Sequence, residues 1–320
     1  MLLHAARIVV AVRGGREGAA ATLAPPRRET ALAGGQPLAL DVYVPPRLKG
    51  RAPALLMVPG VGEGTRDPRM RALAALAVRA GMVVAVPELA GLTRYELDPG
   101  LVPQIEAAFA HMAALPEADP ARLSLFGTSV GGGLAVAAAT RPGVAPRLHT
   151  LIAFAPYYDY GKLIQFLLTG RDPYGAPAPP PSPSGRRIVV YNVLPAVHDP
   201  ADPDLPLLVD VLRRRIFADG EGAGRSAQRL SPRGREVLGA LEADGAAGLA
   251  PLAAAGLARR GHMAIMSPHM QPLCALRGDL LLLHGRDDDV IPASHSVALD
   301  ERCRACPELQ CRLLLTGMQR

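Results

Sequence analysis

Arg122 to Ala139 reads RLSLFGTSVGGGLAVAAA, and the fold turns on how this stretch is read. RLSLF is a short apolar run of the kind buried strands use, and Gly131 to Ala139 are small enough to form a helix packed close against a sheet. Between them lies Gly127-Thr128-Ser129-Val130-Gly131, a G-x-S-x-G pattern. In a chain with 33 glycines the pattern alone says little; the strand before it and the helix after it give it meaning. A serine on a sharp strand-to-helix bend needs small neighbours two positions either side, and its hydroxyl then stands above the sheet edge. The helix start adds its dipole and its unpaired N–H groups, which suit a developing oxyanion. The competing reading is a glycine-rich turn without chemistry, so the rest of the chain must supply an acid and a base.

Working outward, strands and helices alternate. Strand-like runs lie at 38–44, 54–58, 82–86, 123–126, 151–154, 280–284 and 310–315, and several are apolar throughout, as strands buried on both faces of a parallel sheet are. Helix-like segments lie at 70–80, 101–114, 131–140 and 294–304. The alternation predicts an α/β class: a doubly wound, mostly parallel sheet. LALDVYVPP, beginning at Leu38, alternates and ends in prolines, which suits an antiparallel hairpin at one edge. The pattern breaks after Gly161. A proline run, APAPPPSPSG from Ala176 to Gly185, precedes helix-like pieces at 205–217, 233–243 and 246–260, and strands resume at Leu280. The expected organisation is therefore a core over 1–160, an inserted mainly helical cap over 161–276, and the rest of the core over 277–320.

The 320 residues are 49% hydrophobic and 20% charged, a globular composition. The net charge of +6 comes almost wholly from arginine, Lys49 and Lys162 being the only lysines. Basic residues are spread rather than clustered with aromatics, which argues against nucleic-acid binding; the run Arg213 to Arg215 reads as a solvated helix face. No stretch reaches the length of a membrane span, and the apolar run in MLLHAARIVVAV is too short for a signal-peptide core. The expectation is a soluble, cytoplasmic protein, with export open if the true start lies upstream. Cys274, Cys303, Cys306 and Cys311 read as reduced thiols, and Cys303-x-x-Cys306 alone does not make a metal or redox site. Neither metal nor cofactor is expected.

The stretch from Pro37 to Leu315, cap apart, resembles the α/β-hydrolase superfamily, and within it the dienelactone-hydrolase and prolyl-oligopeptidase-like esterase branches. Three motifs carry the resemblance: the elbow at Gly127, Ser129 and Gly131; PGVGEG at Pro59 to Gly64; and LLLLHGRDDDVIP at Leu280 to Pro292. It implies that Ser129 is the nucleophile and that the oxyanion donors are the N–H groups of Val61 and Val130. Pro59 stands where the family usually has histidine, which costs little because the donors are backbone. The family's spacing of His-Gly, two residues, then Asp selects Asp288 as the acid, with Asp159 as the fallback. His284 belongs to that motif and is expected to pack beneath the acid's loop.

The family's histidine follows the last strand, and TGMQR after Leu315 contains none. Of the eight histidines, His295 is too near Asp288 in sequence to suit a triad. His262 and His269 lie where the cap rejoins the core and could overhang the pocket, while His4, His111, His149 and His198 read as surface or structural. Either the reading frame continues past Arg320 into a histidine, or the base has been lost; the intact elbow, donor loop and acid favour the first. The expected function is a serine esterase acting on a small, hydrophobic ester. A peptidase or acyltransferase of the same fold, or a binding protein using the same pocket, is the alternative.

Overall fold

The computed structural model describes residues 24–242, 244–259 and 261–317; the expectations placed on the first residues, His4 included, fall outside the described residues. The strands are β1 (Arg27–Ala33), β2 (Gln36–Tyr43), β3 (Ala52–Val58), β4 (Val83–Pro87), β5 (Ala118–Thr128), β6 (Leu148–Phe154), β7 (Gly278–Gly285) and β8 (Leu309–Thr316). They form one sheet in the order β1-β2-β4-β3-β5-β6-β7-β8. β1 and β2 make an antiparallel hairpin, β2 pairs antiparallel with β4, and all further pairs are parallel. The hairpin turns through Gly34 and Gly35, with φ of 56° and 79°, the positive values a two-residue turn between right-twisted strands demands. β1 was not legible in the sequence: RRETALA buries only Ala31, as an edge strand can.

Helices α1 (Pro68–Arg79), α2 (Leu101–Ala114) and α3 (Ser129–Ala139) connect the strands of the first part of the sheet. α1 begins at Pro68 with Asp67 accepting the N–H groups of Arg69 and Met70, a cap that fixes its start. α2 buries Leu101, Val102, Ile105, Ala108, Phe109 and Met112, a single stripe at helical spacing. α3 is different: every residue from Val130 to Ala139 is buried. Three successive glycines cost helix propensity, about 1 kcal/mol each, and in return the helix lies close against β5 and β6.

Between β6 and β7 the α-helices are α4 (Tyr160–Thr169), α5 (Pro183–Val197), α6 (Leu205–Ile216), α7 (Gly220–Gln228), α8 (Pro232–Glu242), α9 (Ala250–Arg259) and α10 (His262–Met266), and no strand lies among the described residues there. α5 was missed because it starts inside the proline run, with Pro183 at its first position, where the absent N–H has no intrahelical partner to lose. The arginine run on α6 is neutralised in place. Arg213 and Arg214 reach Asp210 at 2.7 Å, Arg214 also reaches Asp219 at 2.7 Å, and Arg215 pairs with Glu242. No single helix among the described residues is long and apolar enough to cross a membrane.

α11 (Ser294–Arg304) lies between β7 and β8. The four cysteines are not free thiols, which corrects the sequence reading: Cys274 is bonded to Cys306 and Cys303 to Cys311. The helix end and its turn bring Cys303 and Cys306 against β8 and the turn before β7, with Cα separations of 4.8 Å for Cys274–Cys306 and 6.1 Å for Cys303–Cys311, inside the usual disulfide range. Spacing along the sequence gave no sign that Cys274 would return to this place.

Candidate active site

The carboxyl ends of β3, β5, β6 and β7 lie side by side, and the residues singled out above gather there. β5 ends at Thr128 and α3 begins at Ser129. Ser129 has φ of 53°, a left-handed conformation that costs a residue with a side chain about 1–2 kcal/mol. Its neighbours enforce the bend. A Cβ on Gly127 would lie 2.5 Å from the Gly131 carbonyl oxygen and 2.8 Å from Ala135; one on Gly131 would lie 2.0 Å from the Pro59 carbonyl oxygen. Both glycines are therefore required by close backbone approach, and the second presses the elbow against the Pro59–Gly64 loop. Among the described residues the Ser129 hydroxyl has no hydrogen-bond partner, so it is available to a ligand.

The loop's N–H groups can be accounted for one by one. Pro59 has none. Gly60 donates to the Glu63 carboxylate at 2.7 Å, Gly62 to the Leu92 carbonyl at 2.9 Å, and Glu63 to the Gly60 carbonyl at 3.1 Å. Among the described residues the N–H groups of Val61 and Gly64 are left without an acceptor, and of the two it is Val61 that adjoins Gly60, the residue packed against the Thr128 carbonyl. Val130 occupies the second position of α3, where an N–H has no intrahelical partner. Two free amide donors thus flank the serine turn, on segments in direct contact.

Asp288 follows β7 in a tight loop. It is 7% exposed; its Oδ1 accepts the N–H groups of Val290 and Ile291, both at 2.9 Å. His284 packs beneath the loop as the motif suggested, its Nε2 2.7 Å from the Ile291 carbonyl and its Nδ1 2.6 Å from the Ser296 hydroxyl. The same Nε2 lies 3.4 Å from Asp288 Oδ2; the shorter contact takes the proton, which leaves Oδ2 able to accept from a further donor. Burial alone would raise the Asp288 pKa, but the His284 contact and the two backbone donors outweigh it and hold the carboxyl below its usual range. β6 lies between β5 and β7, so two strand spacings separate the ends that carry Ser129 and Asp288, about 10 Å.

The histidines sort by their partners. His295 is fully buried, and its Nδ1 faces the backbone N–H groups of Tyr158 at 3.2 Å and Asp159 at 3.5 Å. Two donors aimed at Nδ1 require a neutral ring protonated at Nε2, and burial, with the charges of His284 and Lys162, pushes its pKa down to about 3. It is no base for Ser129. Asp159, the fallback acid, caps α4 by accepting the Lys162 N–H at 3.1 Å, and its other oxygen lies 3.6 Å from His269 Nδ1. His269 sits in a turn packed on α3 and meets the Tyr158 ring edge-on. His111 contacts Glu29 at 2.6 Å and His198 contacts Asp202 at 2.7 Å, both structural pairs.

A bent serine between glycines, at the carboxyl edge of a mostly parallel sheet with antiparallel strands on one side, can be compared with solved structures. The chain has the α/β-hydrolase fold. It superimposes on Est1E from Butyrivibrio proteoclasticus bound to ferulic acid with a TM-score of 0.51 and 14% identity, covering 90% of this chain and 89% of that one. The Pyrococcus horikoshii acylaminoacyl peptidase matches with a TM-score of 0.53 and 12% identity over 93% of this chain and 38% of that one. A puromycin-hydrolyzing peptidase of Mycobacterium tuberculosis matches with a TM-score of 0.51 and 16% identity over 91% and 35%. The chain thus spans little more than a third of each peptidase. No family model and no curated protein matches the sequence. The α/β-hydrolase fold places the ends of β5 and β7 on one edge, and Ser129, Asp288 and Val61, which the motifs single out, follow the ends of β5, β7 and β3 there. No motif singled out Glu63, an acidic residue in an otherwise apolar glycine loop.

Proposed function

We propose that the protein is a serine hydrolase that cleaves carboxylic esters through an acyl-enzyme on Ser129. The observation that carries this is the left-handed Ser129, locked by Gly127 and Gly131, beside the Pro59–Gly64 loop, whose Val61 amide has no acceptor among the described residues. In the proposed reaction Ser129 Oγ attacks the ester carbonyl and gives its proton to an imidazole. The carbonyl oxygen, now an anion, accepts the N–H groups of Val61 and Val130. The imidazole returns the proton to the departing alcohol, and water then releases the acid by the same steps. Asp288 orients the imidazole and stabilises its charged form.

Arg286 donates its N–H to the Thr316 carbonyl at 2.8 Å, and Gly285 pairs with Thr316, so chain leaving β8 emerges beside the Asp288 loop. The hydrophobic-substrate expectation now rests on fewer residues. Leu163, Ile164, Phe166, Leu208 and Val211 are buried in packing between helices, whereas Phe154, which ends β6, and Tyr158 are half-buried and pack against two separate apolar clusters. The test is hydrolysis of p-nitrophenyl esters of increasing acyl length by the protein, alongside Ser129→Ala. Turnover lost in the variant supports the reading; turnover equal in both overturns it.

A further inference from the structure

Glu63 is the acidic residue of the Pro59–Gly64 loop, and its side chain is only 14% exposed. Oε2 accepts two donors, the Gly60 N–H at 2.7 Å and the Thr128 hydroxyl at 3.1 Å. Oε1 pairs with Arg69 Nη2 at 2.9 Å. The two donors belong to the two halves of the site: Gly60 precedes Val61, and Thr128 precedes Ser129. A Cβ on Gly60 would lie 3.1 Å from Oε2 and 3.4 Å from the Thr128 carbonyl oxygen, so the glycine lets the loop close down on the carboxylate and the elbow together.

We propose that Glu63 is a positioning residue that pins the amide-donor loop to the nucleophile turn and so fixes the Val61 N–H relative to the Ser129 hydroxyl. This rests on the reading of Ser129 as nucleophile. A loop with glycines at 60, 62 and 64 has little stiffness of its own, while an oxyanion donor works only within about 2.7–3.1 Å of the developing charge. Hydrogen bonds to an ionised carboxylate are roughly twice as strong as neutral ones, and one oxygen serving both segments couples their positions. Arg69 is 72% exposed, so its ion pair adds little. The two donors inside the site do the holding.

The test compares Glu63→Ala and Glu63→Gln with the parent in the full chain, reading the rate of Ser129 labelling by a fluorophosphonate and the kcat and KM for p-nitrophenyl butyrate. Glu63→Ala is expected to slow labelling and kcat by about 100-fold, the scale of one displaced oxyanion donor, with KM within about threefold. Glu63→Gln keeps an acceptor oxygen for both donors and is expected to recover to within about fivefold of the parent, at an unchanged melting temperature. Labelling of Glu63→Ala at the parent's rate, or a Glu63→Gln no better than Glu63→Ala, overturns the proposal. Should Glu63→Ala not fold, Thr128→Val removes one of the two bonds. It is then expected to slow labelling about five- to tenfold, and no slowing is the overturning result. If Ser129 in the parent takes no label, the nucleophile reading has failed, and exchange of the Gly60 amide decides the tether separately. Exchange at least tenfold faster in Glu63→Ala upholds the tether, and an unchanged rate removes it.

Discussion

Gly131→Ala is the substitution whose effect follows most directly from the geometry. The new Cβ would stand 2.0 Å from the Pro59 carbonyl oxygen, 2.7 Å from the Pro59 carbonyl carbon and 2.9 Å from the Val58 carbonyl oxygen. All three are backbone atoms, which cannot swing aside as a side chain would. Restoring a tolerable contact needs a displacement of about 1 Å between α3 and the donor loop, and overpacking of this kind costs about 1–3 kcal/mol. At about 2–4 °C per kcal/mol for chains of this size class, the melting temperature should fall by about 2–12 °C. A 1 Å misplacement within a catalytic constellation costs about 100-fold in rate, so Ser129 labelling should suffer more than stability. Gly224→Ala is the matched control. Its Cβ would meet nothing within 4 Å, it lies within α7, and alanine there should raise stability by about 0.5–1 kcal/mol. Differential scanning calorimetry with labelling kinetics reads both. A Gly131→Ala protein melting within 1 °C of the parent and labelled at the parent's rate would refute the packing argument.

Three further outcomes are expected. Ser129→Gly relieves the left-handed strain but adds chain entropy, so it should melt at or slightly above the parent while taking no label, whereas Ser129→Val, β-branched at φ of 53°, should lose about 2 kcal/mol or more; urea melts decide. His295 is held neutral, its pKa lowered from 6.5 to about 3. The unfolded state therefore binds the extra proton first, and stability that is full above 6.5 is lost as pH falls toward 3, by up to about 1.4 kcal/mol per pH unit; His295→Asn should flatten that limb in melts from pH 7 to 4. Reduction of the Cys274–Cys306 bond, which spans 32 residues, should cost about 3–4 kcal/mol on a loop-entropy argument. Calorimetry with and without reductant checks the cost, and a mass gain of about 4 Da on reduction checks both bonds.

The parts of the fold legible in the sequence are those where local pattern and tertiary burial agree. ALLMV and LLLLH are apolar on both faces because both faces are covered, and α2 and α11 fall at the residues the pattern gives. β1 was invisible because an edge strand with one buried residue carries no alternation, and α5 because prolines at a helix start resemble a loop. In the candidate site, Ser129, Val61 and Asp288 were legible because each sits in a motif of fixed spacing. The task of His295 was not: its neutral state depends on Tyr158 and Asp159, far off in sequence and brought beneath it by the packing of β6 against β7. The cysteine pairing escaped for the same reason, since Cys274 meets Cys306 only after β7, α11 and β8 have stacked.

Mass-spectrometric mapping of a fluorophosphonate adduct tests the central claim most directly. A single adduct on the peptide containing Ser129, abolished by Ser129→Ala and slowed by Asp288→Asn, is the predicted result. Label that spares Ser129, or that persists unchanged in Ser129→Ala, would contradict it.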